Sequence, residues 1–333
     1  MGGALSRGGR PDRVEILRSR MCRPETTSKK RASALRARPD GARASPAVQF
    51  AREESMMNRS LRIACFLICA ASAAASAGCV ITAETLVRYE GNDESVRVKY
   101  LPTQSIRIVS DNGDVEVRTG NVSDVEVTFS PFTMRKKDEN QLAVQEIEED
   151  LELAAKTDGD VVITTRTRDG SSGYLGADIE VVLPKKDFDG VLRIEQDNGS
   201  IDVDLDGAPS RGTTIVSNNG SIDVVGARGT IDVATKNGSV FVDLDAWSSS
   251  DGAISSGNGA IELSVPAGVD GTMTAQTLNG DIVEQGLPST WATAGEGSGG
   301  DRFDHATSYT MGDGDGGLLE LFTENGDITI DVK

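Results

Sequence analysis

Any chemistry in this chain would have to run on carboxylates. The 333 residues hold 52 Asp+Glu against 34 Lys+Arg, and His305 is the sole histidine. A lone imidazole in a glycine-rich stretch without a cysteine partner reads as a solvated loop residue rather than a base. G-x-S-x-G, H-E-x-x-H and the Gly-Lys of a P-loop are all missing from the sequence, so the common hydrolase, metalloprotease and nucleotide motifs have no footing. No catalytic residue is assigned. Carboxylates do recur at a spacing: Glu116, Asp202, Asp223 and Glu262 each stand four residues after the Asn of an Asn-Gly pair. On neighbouring strands, ~5 Å apart, two such groups would repel by ~0.8 kcal/mol in bulk water and several-fold more at an effective dielectric of about 20. A divalent cation such as calcium between Asp202 and Asp223 would cancel that repulsion. A solvated acidic face, kept soluble by its charge, is the plainer reading.

A second candidate is the stretch from Glu284 to Gly317, which breaks the Asn-Gly spacing and concentrates Trp291, Phe303, His305 and Tyr309 in a sequence that is only 4% aromatic. Long loops on regular scaffolds often carry binding function. Its aromatics read equally well as the cover of one end of the fold. The stretch also holds G-x-G-x-x-G twice, at Gly295, Gly297, Gly300 and at Gly312, Gly314, Gly317. A dinucleotide site needs a strand before that motif and a helix after it. Here strand pattern follows, and Asp313 and Asp315 would repel phosphate. Asp313, Asp315 and Glu324 copy three positions of an EF-hand loop, but Leu318 occupies the place where that loop requires glycine.

The elements that must position these residues form a repeat. Asn-Gly occurs at Asn112, Asn198, Asn219, Asn237, Asn258, Asn279 and Asn325. Three residues after each Asn stands Val115, Ile201, Ile222, Val240, Ile261, Ile282 or Ile328, and five after it an aliphatic residue in every unit except Glu284. Four before it stand Ile108, Ile194, Ile215, Val233, Ile254, Ala275 and Leu321. The period is two on both sides of the turn, so each unit is strand, turn, strand with one face buried. A meander of Asn-Gly hairpins would satisfy this parity. A β-solenoid satisfies it too, and stacking of ~20-residue rungs supplies the reason for every column to keep one residue type. The expected fold is therefore all-β, a single-stranded β-solenoid over 79–333. Ser110, Gln196, Ser217, Thr235, Ser256, Thr277 and Thr323, two before each Asn, form a polar column suited to bonding the turn backbone. Residues 138–156 place Val144, Ile147, Leu151 and Ala154 at helical spacing, and the pattern predicts one α-helix capping a sheet edge or coil end.

Charge divides the sequence. Residues 1–62 carry 15 Lys+Arg and 6 Asp+Glu, whereas the remaining 271 carry 19 and 46, net −27. The acidic part has no affinity to offer a phosphate backbone, so no nucleic-acid partner is expected. Residues 1–56 show no sustained apolar period and read as a disordered basic head ahead of the true start. Residues 57–78 then follow the order of a signal peptide, with a basic Met57–Arg62 segment, an apolar Ile63–Ala77 segment and small residues before Cys79. Lipidation of Cys79 would tether the protein to a membrane, each buried CH₂ contributing ~0.8 kcal/mol. Cleavage after Ala75-Ser76-Ala77 would instead release a soluble periplasmic or secreted protein. No cysteine follows Cys79, which leaves the exported body without disulfides.

The segments IRIVSDNGDVEV, LRIEQDNGSIDV, TIVSNNGSIDVV and LELFTENGDITI, with EVVLPKK and the helical stretch before DGDVVITT, resemble the bacterial putative-adhesin family of envelope proteins (DUF4097). The resemblance spans roughly Leu86 to Lys333. It implies a right-handed solenoid behind a signal or lipoprotein leader, and no catalytic residues. A non-enzymatic protein is expected, an adhesin or scaffold presenting a rigid acidic surface to an envelope protein or glycan, with an outer-membrane anchor at Cys79. The alternative is a calcium-dependent polysaccharide-active enzyme, for which Asp202, Asp223 and Arg193 are the candidate residues.

Overall fold

The computed structural model describes residues 86–168, 171, 174–247, 250–294 and 305–333. The expectations for the basic head, the leader, Cys79 and Phe303 lie outside those residues. The described part starts with β1 (Leu86–Glu90), β2 (Glu94–Val98), β3 (Ile106–Asn112), β4 (Val115–Gly120) and the long β5 (Val125–Lys136). A helix, α1 (Asn140–Asp150), leads to β6 (Leu151–Asp158), β7 (Asp160–Thr167) and β8 (Gly176–Pro184). The central repeats supply β9 (Val191–Asn198), β10 (Ile201–Asp204), β11 (Gly212–Asn219), β12 (Ile222–Asn237), β13 (Val240–Trp247), β14 (Gly252–Asn258) and β15 (Ile261–Val265). After them come β16 (Gly271–Asn279), β17 (Ile282–Gln285), β18 (Ala292–Ala294), β19 (His305–Met311), β20 (Leu318–Asn325) and β21 (Ile328–Val332).

The fold is all-β, and its repeats stack. Strands that precede the Asn-Gly turns, with β7 added at one end, pair in parallel in one ladder, in the order β7, β3, β9, β11, β12, β14, β20, β16. Strands that follow the turns, with β8 added at the same end, pair in parallel in a second, in the order β8, β4, β10, β12, β13, β15, β21, β17. The 16-residue β12 runs from the second ladder into the first, joining them into one curled sheet. The Asn residues fall on one register line, for example Asn198 opposite Asn219 and Asn219 opposite Asn237. Consequently the columns read from the sequence are real rows. Ile108, Ile194, Ile215 and Ile254 are fully buried, as are Val117, Val203, Val224 and Val242.

The hairpin alternative fails on two counts. Among the described residues, no two strands joined by an Asn-Gly turn pair antiparallel; where such strands do meet, as β11 with β12 and β12 with β13, the pairing is parallel. A type I′ turn also needs positive φ at both central residues, whereas here only the glycines adopt it. The glycine is needed for a second reason. A Cβ on Gly220 would sit 1.8 Å from the carbonyl oxygen of Gly199 in the adjoining layer, so the turns stack too closely for any side group. The buried polar column bonds these turns. Thr235, Ser256, Thr323 and Thr277 donate to the carbonyls of Gly220, Gly238, Gly259 and Gly326 at 2.9–3.2 Å.

Two expectations need correction. Layers follow sequence order only from β9 to β15. The layer built from β3 and β4 lies between the β7/β8 layer and the β9/β10 layer. At the opposite end, the last segment, β20 and β21, lies between the β14/β15 layer and the β16/β17 layer. The outermost layers are therefore not the first and last in sequence, and each terminal segment is clasped by a later or earlier one. The helix is also shorter than 138–156. It ends at Asp150, and Leu151–Asp158 is a strand paired antiparallel with β7. Leu151, Leu153 and Ala155 alternate with exposed residues along β6, a period of two that the 3.6 reading absorbed. On the helix, Ala143 and Glu146 are buried while Val144 is half exposed.

Antiparallel strands cover the outer edges of β7, β8 and β16, while β17 has no antiparallel partner among the described residues. β5 lies along β8, with β1 and β2 on its other edge, and β6 lies along β7. At the far end β19 covers β16, and β18 pairs with β19. Covered edges cannot recruit foreign strands. No helix among the described residues is long and apolar enough to cross a membrane.

Candidate functional site

The acidic residues predicted from spacing do form a row. Asp202 on β10 pairs in register with Glu116 on β4 and with Asp223 on β12. Their neighbours in each strand point into the core and are at most 1% exposed, as with Ile201, Val203, Ile222 and Val224. The alternation of a strand therefore turns the three carboxylates outward on one face. Glu180 extends the row beyond Glu116 but is engaged by Arg118, whose Nη2 donates to it at 2.6 Å. Phe241 interrupts the row between Asp223 and Glu262. The result is three carboxylates on successive strands, without an ion-pair partner among the described residues and fixed to a backbone that layers on both sides hold in place.

Electrostatics mark the end of this row beside Phe241. Asp223 has its carboxyl pushed above the usual carboxylate range, by partial burial first and then by the charges of Asp202 and Glu262. A carboxyl whose folded pKa is raised holds its proton more readily in the native state. Stability therefore falls as pH rises from the ordinary carboxylate value, ~3.9, through the raised one, and the penalty is complete above it. Asp223→Asn is expected to raise the melting temperature at neutral pH, by the equivalent of less than ~1 kcal/mol because the site is open to solvent. That advantage should vanish in acid below the ordinary carboxylate value. Thermal melts across pH check this; equal gains at both extremes would remove charge as the cause.

Calcium takes six to eight oxygen ligands; the row offers one carboxylate per strand, and no group of three or more His, Cys, Asp or Glu comes together among the described residues. Arg193, grouped with Asp202 and Asp223 for the enzyme alternative, is on β9 in the other ladder. It points away from Leu192 and Ile194, which fill the core, so the hydrophobic interior separates it from the acidic row. The three residues are not brought together.

The aromatic insertion packs inward. Tyr309 is fully buried and Trp291 is 8% exposed, both within the hydrophobic core. Tyr309 stands opposite Met273 on β16 and Thr293 on β18, so both of these aromatics help to close the far end of the stack. His305 is exposed, 3.7 Å from Asp281. The Tyr309 hydroxyl donates to Glu284 Oε1, and burial, followed by that carboxylate, pushes its pKa well up. This explains the one non-aliphatic residue in its column. At the outermost layer, where no further aliphatic row follows, Glu284 serves as the acceptor for a buried phenol. The exception was visible in the sequence, but its partner 25 residues away was not. Glu284→Leu should leave Thr307 as the remaining side-chain partner of the hydroxyl and cost about 0.5–1.5 kcal/mol. Adding Tyr309→Phe to that variant should recover most of the loss in urea denaturation; no recovery would assign the cost to packing instead.

No known protein family and no curated protein matches the sequence. Among solved structures it is similar to a putative cell adhesion protein from Clostridium sporogenes, at 12% identity over 74% of this chain and 100% of that one, with a TM-score of 0.39. It is also similar to a putative adhesin from Bacteroides fragilis, at 10% identity over 75% and 98% of the two chains with a TM-score of 0.24. A putative adhesin from Parabacteroides distasonis is similar at 9% identity over 73% and 98%, with a TM-score of 0.31.

Proposed function

We propose that this protein is an exported, non-enzymatic envelope protein, an adhesin or scaffold, that presents the outward acidic face of its second ladder to a basic partner. The observation that carries the proposal is the register of Glu116, Asp202 and Asp223 on three adjacent strands. Such a row repeats at the strand spacing of ~4.8 Å and costs no ordering of the backbone on binding, because neighbouring layers already hold it. Like charges so placed are retained at a cost to stability, which a cationic partner would relieve. In this reading the stack is a right-handed β-solenoid, residues 57–78 are a signal peptide, and acylated Cys79 tethers the protein to the membrane a few residues before β1.

The test has two arms. Purified wild-type protein and the variant Glu116→Gln, Asp202→Asn, Asp223→Asn are compared for retention on whole cells and on envelope fragments, with melting curves confirming that both are folded. Retention that falls with salt and is lost in the variant is expected; equal retention overturns the acidic face as the binding surface. Separately, intact mass of the protein from the membrane fraction is expected to show acylated Cys79 at the mature N-terminus. A mature protein beginning at unmodified Gly78 removes the tether.

A further inference from the structure

Asparagine is among the thermally labile residues, and Asn-Gly is its most labile context because glycine puts no side group in the way of cyclisation. The glycine amide nitrogen attacks Cγ of the asparagine, a new C–N bond forms, the bond from Cγ to Nδ2 breaks, and ammonia leaves. Water then opens the cyclic imide to aspartate or isoaspartate. The reaction needs only water, but it has two geometric requirements. The glycine N–H must be free of an acceptor, and the asparagine carboxamide must be free to swing towards it.

The stack denies both at six of the seven steps. Each glycine N–H donates to the backbone carbonyl of the asparagine in the adjoining layer, from Gly113 to Asn198 at 3.0 Å through to Gly326 to Asn279 at 3.0 Å. The carboxamides form an unbroken ladder. The Nδ2 of every asparagine after Asn112 donates to Oδ1 of its neighbour at 2.9–3.0 Å, beginning with Asn198 to Asn112 and ending with Asn279 to Asn325. In stack order, every Oδ1 before Asn279 thus carries a bond from the next layer.

Asn279 is where the ladder ends. It lies in the outermost described layer, at the edge where, among the described residues, β17 pairs only with β21, and it is exposed. Among the described residues its Oδ1 receives no hydrogen bond and the Gly280 N–H donates none. Only its Nδ2 remains tied, to Asn325 Oδ1 at 3.0 Å and to the Glu324 carbonyl at 3.1 Å. We infer that Asn279–Gly280 is the site of spontaneous deamidation in the folded protein, the other six Asn-Gly steps being protected by their neighbours in the stack. The product loses both Nδ2 donors to the β20 layer. As isoaspartate it also lengthens the backbone at the turn into β17, an edge strand held from one side. The change therefore loosens the terminal layer before any other.

Peptide mapping of the full-length protein during incubation in mildly alkaline buffer tests this. Conversion at residue 279 is expected to run at least about tenfold faster than at any other Asn-Gly step, the ratio set by the worth of a hydrogen bond that the others must first release. In denaturant the seven should convert at similar rates. The variant Asn279→Asp should lack the early ammonia release. Conversion at residue 279 no faster than elsewhere would overturn the inference. So would a preference for residue 279 that persists in denaturant, which would trace it to local sequence, or early release that survives in the variant.

Discussion

A protein truncated after Gly317 is expected to lose its cooperative fold, not merely to shed one end. In a coil stacked in sequence order, removing the last segment would uncover a single layer. Here Leu318–Val332 is the seventh of the eight layers among the described residues, clamped between β14/β15 and β16/β17. It buries Leu319, Leu321, Ile328, Ile330 and Val332. At about 1.5–3 kcal/mol for each large apolar residue, these contribute roughly 7–15 kcal/mol, comparable with the whole net stability of a domain, about 5–15 kcal/mol. The deletion also severs the asparagine ladder and leaves two inner edges facing a gap. Circular dichroism melts and limited proteolysis should find no cooperative transition and rapid cleavage throughout 271–311. A truncated protein that still melts cooperatively, a few degrees lower, would mean that the β16/β17 layer closes onto β14/β15 and that the interposed layer is dispensable.

That arrangement shows what a repeat sequence does and does not encode. The positions three and five after each asparagine were readable as core, because burying one face of a strand forces alternation whichever layer lies next to it. Asn325 and Asn279 were readable as members of the same row for the same reason. Their order was not, since every layer carries the same signature and any one could pair with any other. The available signal was indirect. The two long intervals, 86 residues from Asn112 to Asn198 and 46 from Asn279 to Asn325, are where the backbone leaves the stack, builds an outer layer and cap, and returns inside it. The acidic row was legible as an outward column. Its isolation from Arg193 needed the knowledge that the strands before and after each turn belong to different ladders. Trp291 and Tyr309 showed only their composition in sequence, and their burial follows from β19 lying along β16, a non-local pairing.

The second large effect is expected at the helix. Its sequence pattern points to an apolar stripe, yet α1 is anchored through a charge. Glu146, 4% exposed, accepts from Thr133 Oγ1 at 2.7 Å and from Arg135 Nε and Nη2 at 3.0 and 2.8 Å, both on β5. The bidentate pairing raises the pKa of Arg135, through the hydrogen bond first, against the effect of burial. An 11-residue helix whose N-cap residue makes no capping hydrogen bond would not persist in water alone, so the anchor decides whether it stays docked. Glu146→Leu should cost about 1.5–3 kcal/mol, because it leaves the fully buried Thr133 hydroxyl without its charged acceptor, while the guanidinium, 31% exposed, turns to solvent. Adding Arg135→Met and Thr133→Val should return most of that, since a buried ion pair contributes little net stability over an apolar replacement of similar volume. Urea denaturation of the single and triple variants distinguishes the two sources of cost. If the triple variant is no more stable than the single one, the helix is held by the shape of its contact with β5, and the charge is incidental.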